Sequence, residues 1–135
     1  MEKVYKFWQV VFFMKAILDS SFIISCARNK IDFVSQLREQ GFEIVVPNEV
    51  VSEMKSLMNK KTISRKNRDI VKLALDILDS SGVKYESFGG DVVDEMLVKL
   101  GKKGYAIGTL DRAIKKRISR RIVILTSKKR VSPDF

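Results

Sequence analysis

Lys15-Ala16-Ile17-Leu18-Asp19-Ser20-Ser21-Phe22-Ile23-Ile24 is the stretch on which the fold turns. Lys15 to Leu18 read as a short buried strand that ends at Asp19, and the chain then changes period. From Ser20 to Gln40 the spacing predicts one or two helices, with Ile31, Val34 and Leu37 recurring on one face and Gly41 closing the run. The same sentence of strand then helix repeats downstream. Glu43 to Val46 is a second strand, and Pro47-Asn48 opens a helix carrying Val50, Val51, Met54 and Leu57 on one side. Lys60 to Lys66 is a polar, basic connection. Ile70 to Leu78 is an amphipathic helix halted by Ser80-Ser81-Gly82, and Val83 to Tyr85 is a brief third strand. After Gly89-Gly90, residues 91–100 predict a helix with acids in its first turn. Tyr105 to Thr109 is a fourth strand, Asp111 to Ser119 a basic helix, and Ile122 to Leu125 a fifth strand. Short, β-branched strands separated by helices predict an α/β chain, a three-layer α/β/α sandwich around a short parallel sheet.

The 135 residues suit one domain. Hydrophobic residues make up 45% and charged residues 31%, a balance that buries a core rather than leaving the chain disordered. Residues 1–13 stand apart. Val4, Tyr5, Phe7, Trp8, Val10, Val11, Phe12 and Phe13 are apolar, but Lys6 and Gln9 interrupt a run too short to cross a bilayer. With no small-residue cleavage site after them, they read as an N-terminal extension or an extra strand, and Met14 offers a second candidate start.

What the chain lacks narrows its chemistry. It contains no histidine, which excludes Ser-His-Asp catalysis and every zinc site that uses histidine. Its single cysteine, Cys26, cannot form an internal disulfide and sits among apolar neighbours, so a buried thiol in a reducing, cytoplasmic setting is expected. Catalysis, if present, runs on carboxylates, lysines, tyrosines or hydroxyls. The formal net charge is +10. Between Arg112 and Arg130 the sequence places Arg112, Lys115, Lys116, Arg117, Arg120, Arg121, Lys128, Lys129 and Arg130 with no acid among them. Such a field attracts polyanions, nucleic acid ahead of a membrane surface because no lipid-binding face accompanies it. The plainer reading is a solvated basic surface.

Four acids can be placed against the expected sheet. Asp19 follows the first strand and Asp111 the fourth, while Glu53 and Asp94 lie in helices that follow the second and third. All four then share the rim beyond the strand C-termini, where parallel α/β sheets bind their ligands. Carboxylates gathered there repel one another unless divalent cations neutralise them, and an all-oxygen donor set suits Mg²⁺ or Mn²⁺. Each acid also has a structural reading: Asp19 and Asp111 as helix caps, Asp94 as a complement to a helix dipole, and Glu53 as a solvated helix residue.

From Met14 onward the sequence resembles the PIN-domain nucleases. Ile17-Leu18-Asp19-Ser20-Ser21-Phe22 resembles the family's opening strand with its first metal-binding aspartate. Val46-Pro47-Asn48-Glu49-Val50-Val51-Ser52-Glu53 resembles its proline-started helix, which assigns the glutamate role to Glu53 rather than Glu49. Val93-Asp94-Glu95-Met96-Leu97 and Gly108-Thr109-Leu110-Asp111-Arg112 resemble the third and fourth acidic motifs. The resemblance implies one PIN-like nuclease domain over 14–135, with Asp19, Glu53, Asp94 and Asp111 catalytic and metal-binding and Ser21 and Thr109 supporting. It implies a divalent-metal-dependent endoribonuclease using Mg²⁺ or Mn²⁺ on RNA. The run from Lys115 to Thr126 is similar to archaeal and eukaryotic members tied to small-subunit ribosomal RNA processing. Ser21 departs from the asparagine of many relatives, and Ala113 from a further acid in ribosomal-type ones. Two other readings accompany this one: a VapC-type toxin with an antitoxin partner, and a catalytically inactive PIN-fold RNA-binding scaffold. Pairing of two copies through the first helices is left open.

Overall fold

The computed structural model describes residues 14–90 and 92–135, so the N-terminal extension and Asp91 lie outside the described residues. The chain runs β1 (Met14–Leu18), α1 (Ser20–Arg28), α2 (Phe33–Glu39), β2 (Phe42–Pro47), α3 (Asn48–Met58) and α4 (Arg65–Ser81). It continues through β3 (Lys84–Glu86), α5 (Val93–Lys102), β4 (Ala106–Gly108), α6 (Arg112–Lys115), β5 (Arg121–Leu125) and β6 (Arg130–Asp134). One six-stranded sheet has the order β3-β2-β1-β4-β5-β6; β1 to β5 are mutually parallel and β6 pairs antiparallel with β5.

Chain direction across the sheet explains the layers. From β1 the chain steps outward to β2 and β3, then returns to place β4 on the other side of β1. Right-handed crossovers put connections made in opposite directions on opposite faces. Accordingly α1 to α4 pack with Ala16, Leu18, Ile44 and Val46 on one face, while α5 and Ile114 of α6 pack with Ile17, Val45 and Ile107 on the other. Successive residues of β1 thus feed opposite cores, which is why the strand is apolar throughout. The fold is the three-layer α/β/α sandwich the sequence predicts. No described helix is long and apolar enough to cross a membrane.

The helix ends follow local chemistry. Gly41 (φ 92°) and Gly82 (φ 67°) take the left-handed backbone that stops α2 and α4. Cys26 is fully buried, and desolvation pushes its thiol up to about 12, which leaves it protonated and unreactive.

The helix expected over Ile70 to Leu78 begins earlier, at Arg65, because Ser64 caps it by accepting from Asn67 N–H, and three further differences from the sequence reading stand out. The helix expected over 91–100 starts at Val93, because Val92 keeps extended geometry; Asp94 is therefore in the first turn. The basic helix expected over 111–119 is one turn, Arg112–Lys115. β4 is only three residues long and β5 must restart level with Ile107, so the crossover turns back early, with Arg117 N–H bonded to Ile114 O. The third difference is β6, a strand the sequence did not announce. Pro133 interrupts any strand pattern there, yet β6 is an edge strand, where a residue without an N–H is tolerated.

α5 meets the connection before β5 at Gly101, where an added Cβ would lie 2.5 Å from Ile118 Cγ2 and 3.1 Å from its Cβ. Glycine inside a helix costs about 1 kcal/mol relative to alanine, so exposed helices gain from the exchange. Here overpacking, roughly 1–3 kcal/mol, opposes that gain. Gly101→Ala is expected to lower Tm, and a thermal melt showing a rise would mean Ile118 yields freely.

Candidate functional site: a carboxylate rim at the switch point

The sheet order reverses between β1 and β4, and ligands of open α/β sheets bind at such a switch point, beyond the strand C-termini. Leu18 pairs with Gly108, and the next residue, Asp19, donates its backbone N–H to Gly108 O at 2.8 Å. That bond sets Asp19 against the residues following β4. Asp19 Oδ1 accepts from Ser20 N–H at 2.8 Å, and Oδ2 accepts from the Thr109 hydroxyl at 2.8 Å. Thr109 Oγ1 in turn accepts from Asp111 N–H at 3.1 Å, so one buried hydroxyl ties the first acid to the fourth.

Ser21, the supporting hydroxyl of the sequence reading, lies beside Asp19 and also binds the loop after β4. Its hydroxyl is 3.4 Å from Asp19 Oδ2 but accepts from Leu110 N–H at 3.1 Å, so its firmer bond closes the loop between β4 and α6. Ser20 is the side chain the sequence reading missed. Its Oγ donates to Glu53 Oε1 at 2.5 Å, carrying α3 to the start of α1. The signal was present as a hydroxyl adjacent to Asp19, but nothing in the sequence says which helix will face it.

Glu49 lies one turn before Glu53. Its Oε2 accepts from Phe88 N–H at 3.0 Å and Gly89 N–H at 2.8 Å, anchoring the loop that leads to α5. Burial works to raise its pKa, but the backbone donors outweigh it and hold the carboxyl below the usual glutamate range. Glu49 is therefore a loop anchor.

The electrostatics report how the acids lie. Asp19 is raised above the ordinary aspartate value, first by burial; the Thr109 and Ser20 bonds oppose this, and the charges of Glu53 and Asp94 add to it. Asp94 is also raised, by burial and then by Asp111, Glu53 and Glu95. Asp19 thus feels the charges of Glu53 and Asp94, and Asp94 those of Glu53 and Asp111, along one rim. The cap readings hold at the same time, since Asp19 caps α1 and Asp111 Oδ1 accepts from Ala113 N–H at 2.9 Å at the start of α6. The two roles are compatible because each carboxylate uses part of its acceptor capacity on the backbone.

Among the described residues no group of three or more acidic or thiol side chains is disposed to hold a metal ion. The donor set is nevertheless all oxygen and in excess negative charge, the chemistry that hard divalent cations take. A cleft of about 440 Å³ lined by Met14, Lys15, Glu43, Tyr105 and Arg120 opens at the opposite end of the strands, and none of the four acids lines it. They stand on an open rim.

The basic residues are divided in their tasks. Arg117 grips Glu95 with two bonds, 2.7 and 3.2 Å, and Arg121 pairs with Asp134 at 3.4 Å. Arg120 donates to Gly104 O and lies over the Phe135 ring. These three serve the fold as well as its charge. Arg112, Lys116, Lys128, Lys129 and Arg130 are exposed, and Lys115 is half-buried.

A buried carboxylate with a raised pKa costs stability once ionised. The native state then binds its proton more tightly than the unfolded chain, so this contribution is fully present below the unfolded aspartate pKa and is lost as pH rises through the folded one. Asp19→Asn removes the charge, keeps its amide oxygen as acceptor for the Ser20 N–H and turns its amide N–H toward Thr109 Oγ1, which can accept it by reorienting its own hydroxyl hydrogen. It is expected to raise Tm by a few degrees at neutral pH, with the gain shrinking in acid, where the native carboxyl is itself protonated; an unchanged or lowered Tm at neutral pH contradicts this.

No protein-family model matches the chain, and no curated protein is found similar to it. Among solved structures the chain is similar to a domain of a functionally unknown protein from Methanocaldococcus jannaschii DSM 2661. The two share 20% identity with a TM-score of 0.47, over 76% of this chain and 82% of the other.

Proposed function

We propose that this chain is a PIN-type, divalent-metal-dependent endoribonuclease that hydrolyses RNA phosphodiester bonds, with ribosomal RNA as the substrate class its basic C-terminal third favours. One observation carries the reading. Acids from four separate segments lie along the rim at the switch point, and two of them, Asp19 and Asp94, are raised partly by the charge of others in the set. An arrangement so costly to a fold is kept where a cation offsets it.

Mg²⁺ or Mn²⁺ bound there supplies Lewis-acid stabilisation of the phosphoryl oxygens and acidifies the attacking water. Asp19 and Asp94 would hold the main ion, Asp111 would ligate it or orient the water, and Glu53 would complete the shell or a second site. Thr109 and Ser20 fix the carboxylates of Asp19 and Glu53, so their orientation does not have to be found during turnover. Backbone phosphates are drawn in by the exposed lysines and arginines, which give affinity that falls steeply with salt and little base selection.

The test is cleavage of 3′-labelled structured RNA, including a small-subunit ribosomal RNA fragment, with Mn²⁺, Mg²⁺ or EDTA. Cutting is expected with either metal and not with EDTA. Asp94→Asn is expected to lower the rate by about two to three orders of magnitude, matching the several kcal/mol that such an ion contributes. Salt-sensitive RNA binding without metal-dependent cutting would overturn the enzyme in favour of an inactive RNA-binding scaffold.

A further inference from the structure

The sheet register sets one group of cations apart from the rest. Gly108, the last residue of β4, pairs with Ile122, and β5 runs on through Val123, Ile124 and Leu125 before the chain turns. At about 3.3 Å per residue, Leu125 stands about 10 Å beyond the level at which β1 and β4 end. Thr126–Lys128 form a short 3₁₀ turn, and Arg130 pairs back with Leu125. The tip of this hairpin, Lys128-Lys129-Arg130, therefore projects past the same rim that carries Asp19 and Asp111, to one side of them. It is offset sideways from Asp19 by two to three strand spacings, about 10 to 14 Å, because Arg130 already belongs to β6.

The projecting hairpin is braced. Gln36 of α2 donates from Nε2 to Lys129 O at 3.0 Å and accepts at Oε1 from Val131 N–H at 2.8 Å. Gln40, one turn on, donates to Val131 O at 3.0 Å. These side chains hold one strand of the hairpin as a neighbouring strand would, so its tip keeps a fixed height over the rim. All three cations are exposed, and none is in an ion pair among the described residues. Lys129 takes the left-handed backbone (φ 50°), which glycine or asparagine occupies at lower cost. A lysine there keeps its charge at a conformational expense.

We propose that the β5–β6 hairpin is a rigid phosphate anchor for a single-stranded polynucleotide, with Lys128, Lys129 and Arg130 binding backbone phosphates beside the one presented to the carboxylates, and with Gln36 as the positioning residue that fixes its height. The placement over a cleavage site rests on the nuclease reading; the binding of phosphates does not. Cations on a braced hairpin lose less freedom on binding than cations on a loose tail, so the anchor also sets the register in which the strand crosses the rim.

Binding and cleavage are measured separately. In EDTA, the dissociation constant of an end-labelled single-stranded RNA is followed against salt for the full-length protein, the Lys128→Ser/Lys129→Asn variant and a Lys102→Gln/Lys103→Gln control. The control removes the same charge from the exposed end of α5, at the opposite end of the strands. Asparagine is chosen at 129 because it accepts the left-handed backbone. The hairpin variant is expected to bind several-fold more weakly, with a salt slope shallower by about 1.4, two contacts at about 0.7 each on a single strand. The control should move both by far less. Gln36→Ala, which leaves net charge unchanged, is expected to weaken binding in the same direction. With Mn²⁺ present, the hairpin variant should raise KM and leave kcat near wild type, a split that general loss of fold does not give. Equal effects of the hairpin variant and the control on affinity and slope would overturn the anchor. If the wild-type protein binds RNA through the hairpin but cuts nothing, the nuclease reading falls and the anchor stands.

Discussion

The pairing of β1 with β4, completed by the bond from Asp19 N–H to Gly108 O, is the constraint on which the rest of the molecule depends. It joins the first strand to one that arrives 90 residues later, and it creates the reversal in strand order. The helices divide between the two faces because of that reversal, and the crevice opens at the same point. Close packing enforces the join: a Cβ on Gly108 would lie 2.8 Å from Leu18 Cδ2 and 3.1 Å from the Phe22 ring. Phe22 is itself set edge-on against Phe33, with ring centroids 6.5 Å apart, so the rim rests on the aromatic centre of one core. Little of this can shift without moving Asp19.

Two opposing electrostatic demands meet at that rim. The carboxylates are mutually repulsive, and burial of Asp19 makes its charge more costly still. The protein offsets part of this with fixed donors, the Ser20 N–H and the Thr109 hydroxyl, rather than with lysine or arginine. A basic side chain at the same place would neutralise the acids, and none stands among the hydrogen-bond partners of Asp19. Instead the basic residues sit around the site. Arg117 is engaged by Glu95, next to Asp94, which draws a strong positive charge to the flank of the cluster without entering it. Negative centre and positive surround are what a polyanion needs if it is to be held along its length and met by a cation at one phosphate.

Much of the molecule was legible in the sequence for local reasons. β1, β2 and β5 are short runs of apolar residues, α4 repeats its apolar positions at helical spacing, and the glycines after α2 and α4 take the backbone only they take easily. The α/β alternation and the rim location of Asp19 and Asp111 followed from order alone. The misread parts are those where a distant partner decides. α6 stops after one turn because β5 has to begin beside Ile107, and β6 forms despite Pro133 because an unpaired edge of β5 lies beside it. Ser20, Glu49, Gln36 and Gln40 show no pattern of their own; their roles exist only once the helices bearing them are docked.

The sequence by itself determined the class of fold, the absence of histidine chemistry, the strong positive charge and the identity of the four rim acids, since these depend on residue type and on spacing along the chain. Tertiary structure alone decided that the sheet reverses between β1 and β4, that Thr109 joins Asp19 to Asp111, and that Lys128, Lys129 and Arg130 stand on a hairpin projecting past the ends of β1 and β4 while Arg117, Arg120 and Arg121 are tied within the fold. Periodicity reports which face of an element is buried, but not which element will cover it. That choice is made by strand register and crossover direction, and these are fixed only when segments far apart in the chain pack together.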